Sequence, residues 1–184
     1  MPELPANWHE QLATVGIAAL AALFGALIGF EREMWGKPAG LRTHALIAFA
    51  CALFVEVGRF LIDFYVVGHP VEALRIEVFG MLSGVAFAIG IVASGTVARV
   101  GGEVKNLTTA GTVLCAGIVG VATGLRQLVV AVAGTAVVVS INLAGGWYEQ
   151  RYLHHDRPGK RTRAGADAAG EGIRPGAGPP DVGE

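Results

Sequence analysis

The chain has 184 residues, 53% of them hydrophobic and only 16% charged, with a formal net charge of −1. Soluble domains average about 25% charged residues, so this composition lacks the ionic groups that a water-facing surface of this size needs. The small net charge also argues against a nucleic-acid binder, whose affinity rests on excess basic charge. Cys51 and Cys115 both fall in apolar runs without a CxxC spacing. They therefore read as small buried hydrophobes rather than a zinc site or a redox pair.

Leu12 to Phe30 carries no charge. At 1.5 Å per residue such a run covers roughly 28 Å, close to a hydrocarbon core of about 30 Å. Met1 to Gln11 holds no Lys or Arg, and the basic residues follow the run, which is the wrong polarity for a secretory signal. The expectation is an uncleaved span over residues 12–30, preceded by a periplasmic N-terminus, 1–11.

A second span is expected over about 43–67. It is clean from Ala45 to Val55 and then meets Glu56, Arg59 and Asp63, at i, i+3 and i+7. That spacing predicts one polar helical stripe paired within itself. Gly68-His69-Pro70 breaks this helix, and a third span follows over 76–98. Arg99 to Asn106 reads as a short polar loop. The fourth and fifth spans are expected over 107–125 and 128–148, joined by a tight turn at Arg126-Gln127. Trp147 and Tyr148 close the last span as an aromatic belt would. Residues 149–184 are rich in Gly, Pro, Ala and charge, which predicts a disordered tail; His154-His155-Asp156 within it reads as solvated rather than metal-binding.

The expected fold is thus all-α, a polytopic membrane bundle of five transmembrane helices. Its orientation follows from Lys and Arg near the span ends. One side collects Arg32, Lys37, Arg42, Arg99 and Lys105, together with the basic tail, whereas the other has Arg59, Arg75 and Arg126. This asymmetry predicts the N-terminus outside and a cytoplasmic C-terminal tail. Lipid offers no hydrophobic drive between helices, so small residues must permit close backbone approach. Three GxxxG pairs supply them: Gly25/Gly29, Gly80/Gly84 and Gly120/Gly124. Such pairs serve packing within the bundle or association with another chain.

Two polar clusters are expected at the cytoplasmic face. In the first, Glu31 and Arg32 end one span while Arg42, Thr43 and His44 open the next, so a tight loop brings them together. In the second, Thr108 and Thr109 begin the fourth span just after Arg99, Gly101 and Gly102. They would offer hydroxyls and backbone N–H groups to an anion. Glu56, Asp63, Glu72 and Glu77 form an outer group of carboxylates, candidates for a divalent cation because hard ions take oxygen ligands; pairing with Arg59 and Arg75 explains the same residues. No nucleophile and base set, P-loop, dinucleotide fingerprint or HExxH is present. No catalytic residue and no cofactor is therefore assigned. Asn142 is the clearest polar exception inside a span and is expected to bond between helices.

The stretch Gly25-Ala26-Leu27-Ile28-Gly29-Phe30-Glu31-Arg32-Glu33, followed by Gly36-Lys37-Pro38-Ala39-Gly40-Leu41-Arg42-Thr43-His44, closely resembles the signature of the MgtC/SapB family. Gly95, Arg99, Gly101, Gly102 and Leu107-Thr108-Thr109-Ala110 resemble the second half of another block of that family. The first half of that block differs, with Ile91-Val92-Ala93-Ser94 and with Leu114 in place of a tryptophan. The resemblance covers about residues 12–148. It implies a multi-pass protein of the bacterial inner membrane, associated with adaptation to low magnesium and with survival in host cells. Family members look more like modulators of other membrane proteins than pumps, and they carry a folded cytoplasmic domain that this tail does not match. The leading expectation is a non-enzymatic modulator whose partners are the lipid bilayer, another integral membrane protein and a possible second copy of the chain. The alternative is a transporter or channel for Mg2+ or another small ion.

Overall fold

A computed structural model describes residues 8–66, 71–100 and 103–153. Five helices account for nearly all of them: α1 (Trp8–Met34), α2 (Leu41–Val66), α3 (Val71–Gly95), α4 (Leu107–Gly124) and α5 (Leu128–Leu153). The fold is all-α but for one small hairpin, and α1, α2, α4 and α5 are each long and apolar enough to cross a membrane. In α3 the described apolar stretch is Phe79–Gly95.

Three of the helices run well past an expected bound, while α4 keeps to its own. α1 starts at Trp8, α3 starts at Val71 and takes in Glu72 and Glu77, and α5 runs on to Leu153. Polar residues at a helix end are compatible with helix once they reach the interface, so apolar content alone sets the bounds too tightly. The remainder of the expected tail, from residue 154, and the Gly68-His69-Pro70 break lie outside the described residues. Arg99–Asn106 is not a plain loop. Ala98–Val100 (β1) and Glu103–Lys105 (β2) pair antiparallel, with Arg99 opposite Val104. A strand pair of three residues each is too short for alternation to reveal it.

α1 and α2 form an antiparallel pair, and α4 lies against both. α5 covers the α1/α4 side, while α3 leans on α4 and α2. Ala18 and Ala21 of α1 meet Ala48 and Ala52 of α2 in one buried cluster. Val85, Ile89 and Ala93 of α3 join Cys51, Ala110 and Val113 in a second, and Ile28, Ala116, Val119 and Ala131 tie α1, α4 and α5 in a third. The core is thus mostly alanine, glycine and small branched residues, as close packing in lipid requires. The large side chains point outward instead: Leu23, Phe30, Leu46, Phe54, Phe87, Ile118, Val129 and Ile141 are all exposed. In water such a surface would aggregate; in a bilayer it is solvated.

The GxxxG pairs divide by use. A Cβ on Gly25 would collide with the His44 carbonyl oxygen, and one on Gly29 would lie 2.6 Å from the Gly40 oxygen. A Cβ on Gly120 would strike the Ala48 carbonyl, and one on Gly124 would lie 2.7 Å from that of Ala52. These four glycines set α1 and α4 in backbone contact with α2. Gly80 and Gly84 are different: among the described residues nothing lies within 4 Å of either Cβ position.

Candidate functional site

The turn between α1 and α2 organises one end of the bundle. α1 stops where Gly36 takes φ +61°. There the Lys37 N–H reaches the Arg32 carbonyl (3.0 Å) and the Gly36 N–H reaches that of Glu33 (3.1 Å), a Schellman closure that favours glycine at this position. The chain then returns so that the Glu33 carboxylate accepts the Leu41 N–H at 2.9 Å. A carboxylate there satisfies a donor that the first turn of α2 leaves open and sits at the positive end of its dipole. Gly40 makes room for it, since a Cβ there would lie 2.9 Å from Glu33 Oε2.

His44 is the hub of this end and is fully buried. Its Nδ1 lies 2.8 Å from the Gly40 carbonyl oxygen and its Nε2 3.1 Å from Thr112 Oγ1. A carbonyl only accepts, so Nδ1 carries the proton and a neutral ring takes the Thr112 hydroxyl's hydrogen at Nε2. Thr112 Oγ1 also stands 2.9 Å from the Thr109 carbonyl, an alternative acceptor for that one hydrogen. Beside it Arg32, 5% exposed, donates from Nη2 to Thr109 Oγ1 at 2.6 Å. Glu31 is equally buried, with Oε2 enclosed and without a hydrogen-bond partner among the described residues. α5 closes on this corner at Gly146, where a Cβ would lie 3.4 Å from the Trp35 ring and 3.7 Å from Glu31 Oε1.

The structure therefore brings Glu31, Arg32, Gly40, His44 and Thr109 together around the backbone contacts of Gly25 and Gly29. Arg42, Thr43 and Thr108 are exposed on the outside of this end, as is Arg99 on the hairpin. Gly95 is exposed where α3 ends; Gly101 and Gly102 lie outside the described residues. Thr112, which the sequence does not single out, and Glu33, whose part as a cap it does not reveal, also belong to the site. Glu33 stands inside the motif, but its bond to the Leu41 N–H follows from the turn and not from the motif. Thr112 carries no local signal, because its partner is 68 positions away.

At the opposite end Glu56, 6% exposed, pairs with Arg126 at 3.0 Å. The polar stripe of α2 is thus not simply self-paired, since its first carboxylate is held by the turn between α4 and α5. Arg126 stands in the left-handed region at φ +60°. Its N–H bonds the Thr123 carbonyl, and the Gln127 N–H bonds that of Ala122, so a second Schellman closure aims its side chain back at α2. The facing carboxylate raises the pKa of the Arg126 guanidinium above its usual value, by hydrogen bond first and by charge second. The Glu56 carboxylate is therefore engaged by an arginine, and among the described residues no three His, Cys, Asp or Glu come together to hold a metal ion. The side chains of Asp63, Glu72 and Glu77 lie outside the described residues. Asn142 Nδ2 is enclosed without a hydrogen-bond partner among the described residues, unlike the interhelical bond expected of it.

Comparison with known proteins bears on the same residues. The MgtC family model matches the chain over residues 18–151, which takes in the whole polar lock at the α1–α2 turn. The chain belongs to the MgtC family. It is 34% identical to protein MgtC of Salmonella typhimurium over 123 residues, which is 67% of this chain and 48% of that one. MgtC of Brucella abortus is 30% identical over 135 residues, 73% of this chain and 52% of its own. An uncharacterized protein of a Synechocystis strain is 32% identical over 138 residues, 75% of this chain and 53% of its own. The chain spans about half the length of these curated relatives. No solved structure matches it. Together with the four long apolar helices, membership makes this a multi-pass membrane protein of the MgtC family.

Proposed function

We propose that this protein is a non-catalytic modulator of another integral membrane protein in the bacterial inner membrane, acting in adaptation to low Mg2+ or intracellular stress. The observation that carries the reading is the open face of α3. Four of the six GxxxG glycines are used up inside the bundle, while Gly80 and Gly84 meet nothing among the described residues, with Phe87 and Ile91 exposed further along the same helix. A second transmembrane helix can approach such a face closely. The basic residues at the hairpin end favour placing it, and the Glu31, Arg32 and His44 lock, in the cytoplasm.

Charge placement supports the modulator over a transporter. Between His44 and Glu56 on α2, and throughout α4, the sequence has no ionisable group but Cys51 and Cys115. Transporters ordinarily place ionisable groups or broken helices near mid-depth. The test is a photo-reactive residue at position 87, installed in cells that make the protein. The reading expects an adduct with a different membrane protein, lost on Gly84→Leu while the bundle stays folded. Adducts with lipid alone, or only with a second copy of the chain, would contradict it.

A further inference from the structure

Toward its N-terminus α1 draws away from α2. Ala18, Ala21, Gly25 and Gly29 hold the two helices together along the rest of their length. Past Ala18 a cavity of about 760 Å3 opens between the first turns of α1, the outer half of α2 and the α4–α5 turn. That is within the range of about 300–1,000 Å3 typical of small-molecule sites.

Among the described residues its lining carries two charges of each sign: Glu10, Glu56, Arg59 and Arg126. Glu56 and Arg126 engage each other. Of the described lining residues this leaves Glu10 on α1 and Arg59 on α2, of opposite sign and on different walls. Among the described residues Arg59 makes one hydrogen bond, from Nη1 to the Gly124 carbonyl at 3.5 Å, longer than the usual range of about 2.7–3.2 Å. A guanidinium has five N–H donors, so it retains capacity for an anion. The rest of the wall includes Val57 and Phe60, both exposed on the outside of the bundle. The chamber is thus charged yet balanced in sign, lies at a helix-bundle end, and is apolar on one flank.

We propose that this cavity binds a zwitterionic phospholipid. The phosphate sits on Arg59, the ammonium on Glu10, and the acyl chains run over Val57 and Phe60. A purely anionic headgroup would leave Glu10 facing like charge, and a headgroup without charge would use neither wall. The inference does not depend on the modulator reading, since it concerns the other end of the molecule.

The experiment is native mass spectrometry of the full chain released from nanodiscs. These contain equal phosphatidylethanolamine and phosphatidylglycerol with matched acyl chains. The native protein should retain phosphatidylethanolamine about tenfold over phosphatidylglycerol, the discrimination of roughly one good ionic contact. Arg59→Gln should lower retention of both lipids. Glu10 is exposed on the first turn of α1, so Glu10→Lys should leave the fold intact and turn the preference toward phosphatidylglycerol. Equal retention of the two lipids by the native protein, or a preference unmoved by Glu10→Lys, would overturn the proposal. Free phosphoethanolamine binding as tightly as the lipid would overturn the role given to the apolar flank.

Discussion

Single residues at the hairpin end act by holding backbone to backbone. His44 ties the start of α2 to α4 through Thr112 while its own carbonyl abuts Gly25. His44→Leu removes both side-chain bonds and leaves the Thr112 hydroxyl to its alternative acceptor. A loss of about 1–3 kcal/mol is expected, read as a lower unfolding midpoint in detergent and faster proteolysis of the 35–40 turn. Thr112→Val should reproduce only part of it. Arg42 is exposed, so Arg42→Ala should leave insertion and stability unchanged and impair activity in cells. Normal activity would reduce Arg42 to a topological anchor. At the other end Arg126→Ala strands a buried carboxylate. It should destabilise by about 1–3 kcal/mol, and Glu56→Gln in the same chain should recover much of the loss, as a double-mutant cycle would show.

Helices meet here through glycine, and the three GxxxG pairs make opposite predictions. Gly25→Leu or Gly120→Leu drives a side chain into the backbone of α2, so the bundle should lose at least about 1–3 kcal/mol and misassemble. Gly80→Leu meets open space and should leave the unfolding midpoint in place. Equal damage from all three would show that α3 packs more tightly than described. The sequence alone could not separate these pairs, because a GxxxG motif states that close approach is possible and not which helix approaches. The same limit explains what else was illegible. Runs of apolar residues revealed five helices because lipid demands them. The partners of Glu56 and Arg32 lie 70 and 77 positions away and follow from how helices cross, which no local pattern encodes. Glu31, Arg32, Gly40 and His44 were legible because they crowd one short motif, and the turn folds them onto each other almost of necessity. The hairpin at Ala98–Lys105 was hidden by its shortness.

The whole molecule is a tight core of α1, α2 and α4 with polar closures at both ends and lipid-facing residues between them. α5 illustrates the design. Ala131 and Thr135 are its buried side chains among the described residues, while Val129, Val137, Ile141 and Trp147 face outward. Trp147 carries Arg151 over its ring at 4.9 Å, which anchors this end at an interface. On the proposed modulator reading, such a body works through an exterior helix face and gives an ion no path through its centre. Mg2+ flux into liposomes holding the purified protein tests that most directly. No more entry is expected than into protein-free vesicles. Protein-dependent entry that Glu56→Gln abolishes would contradict it.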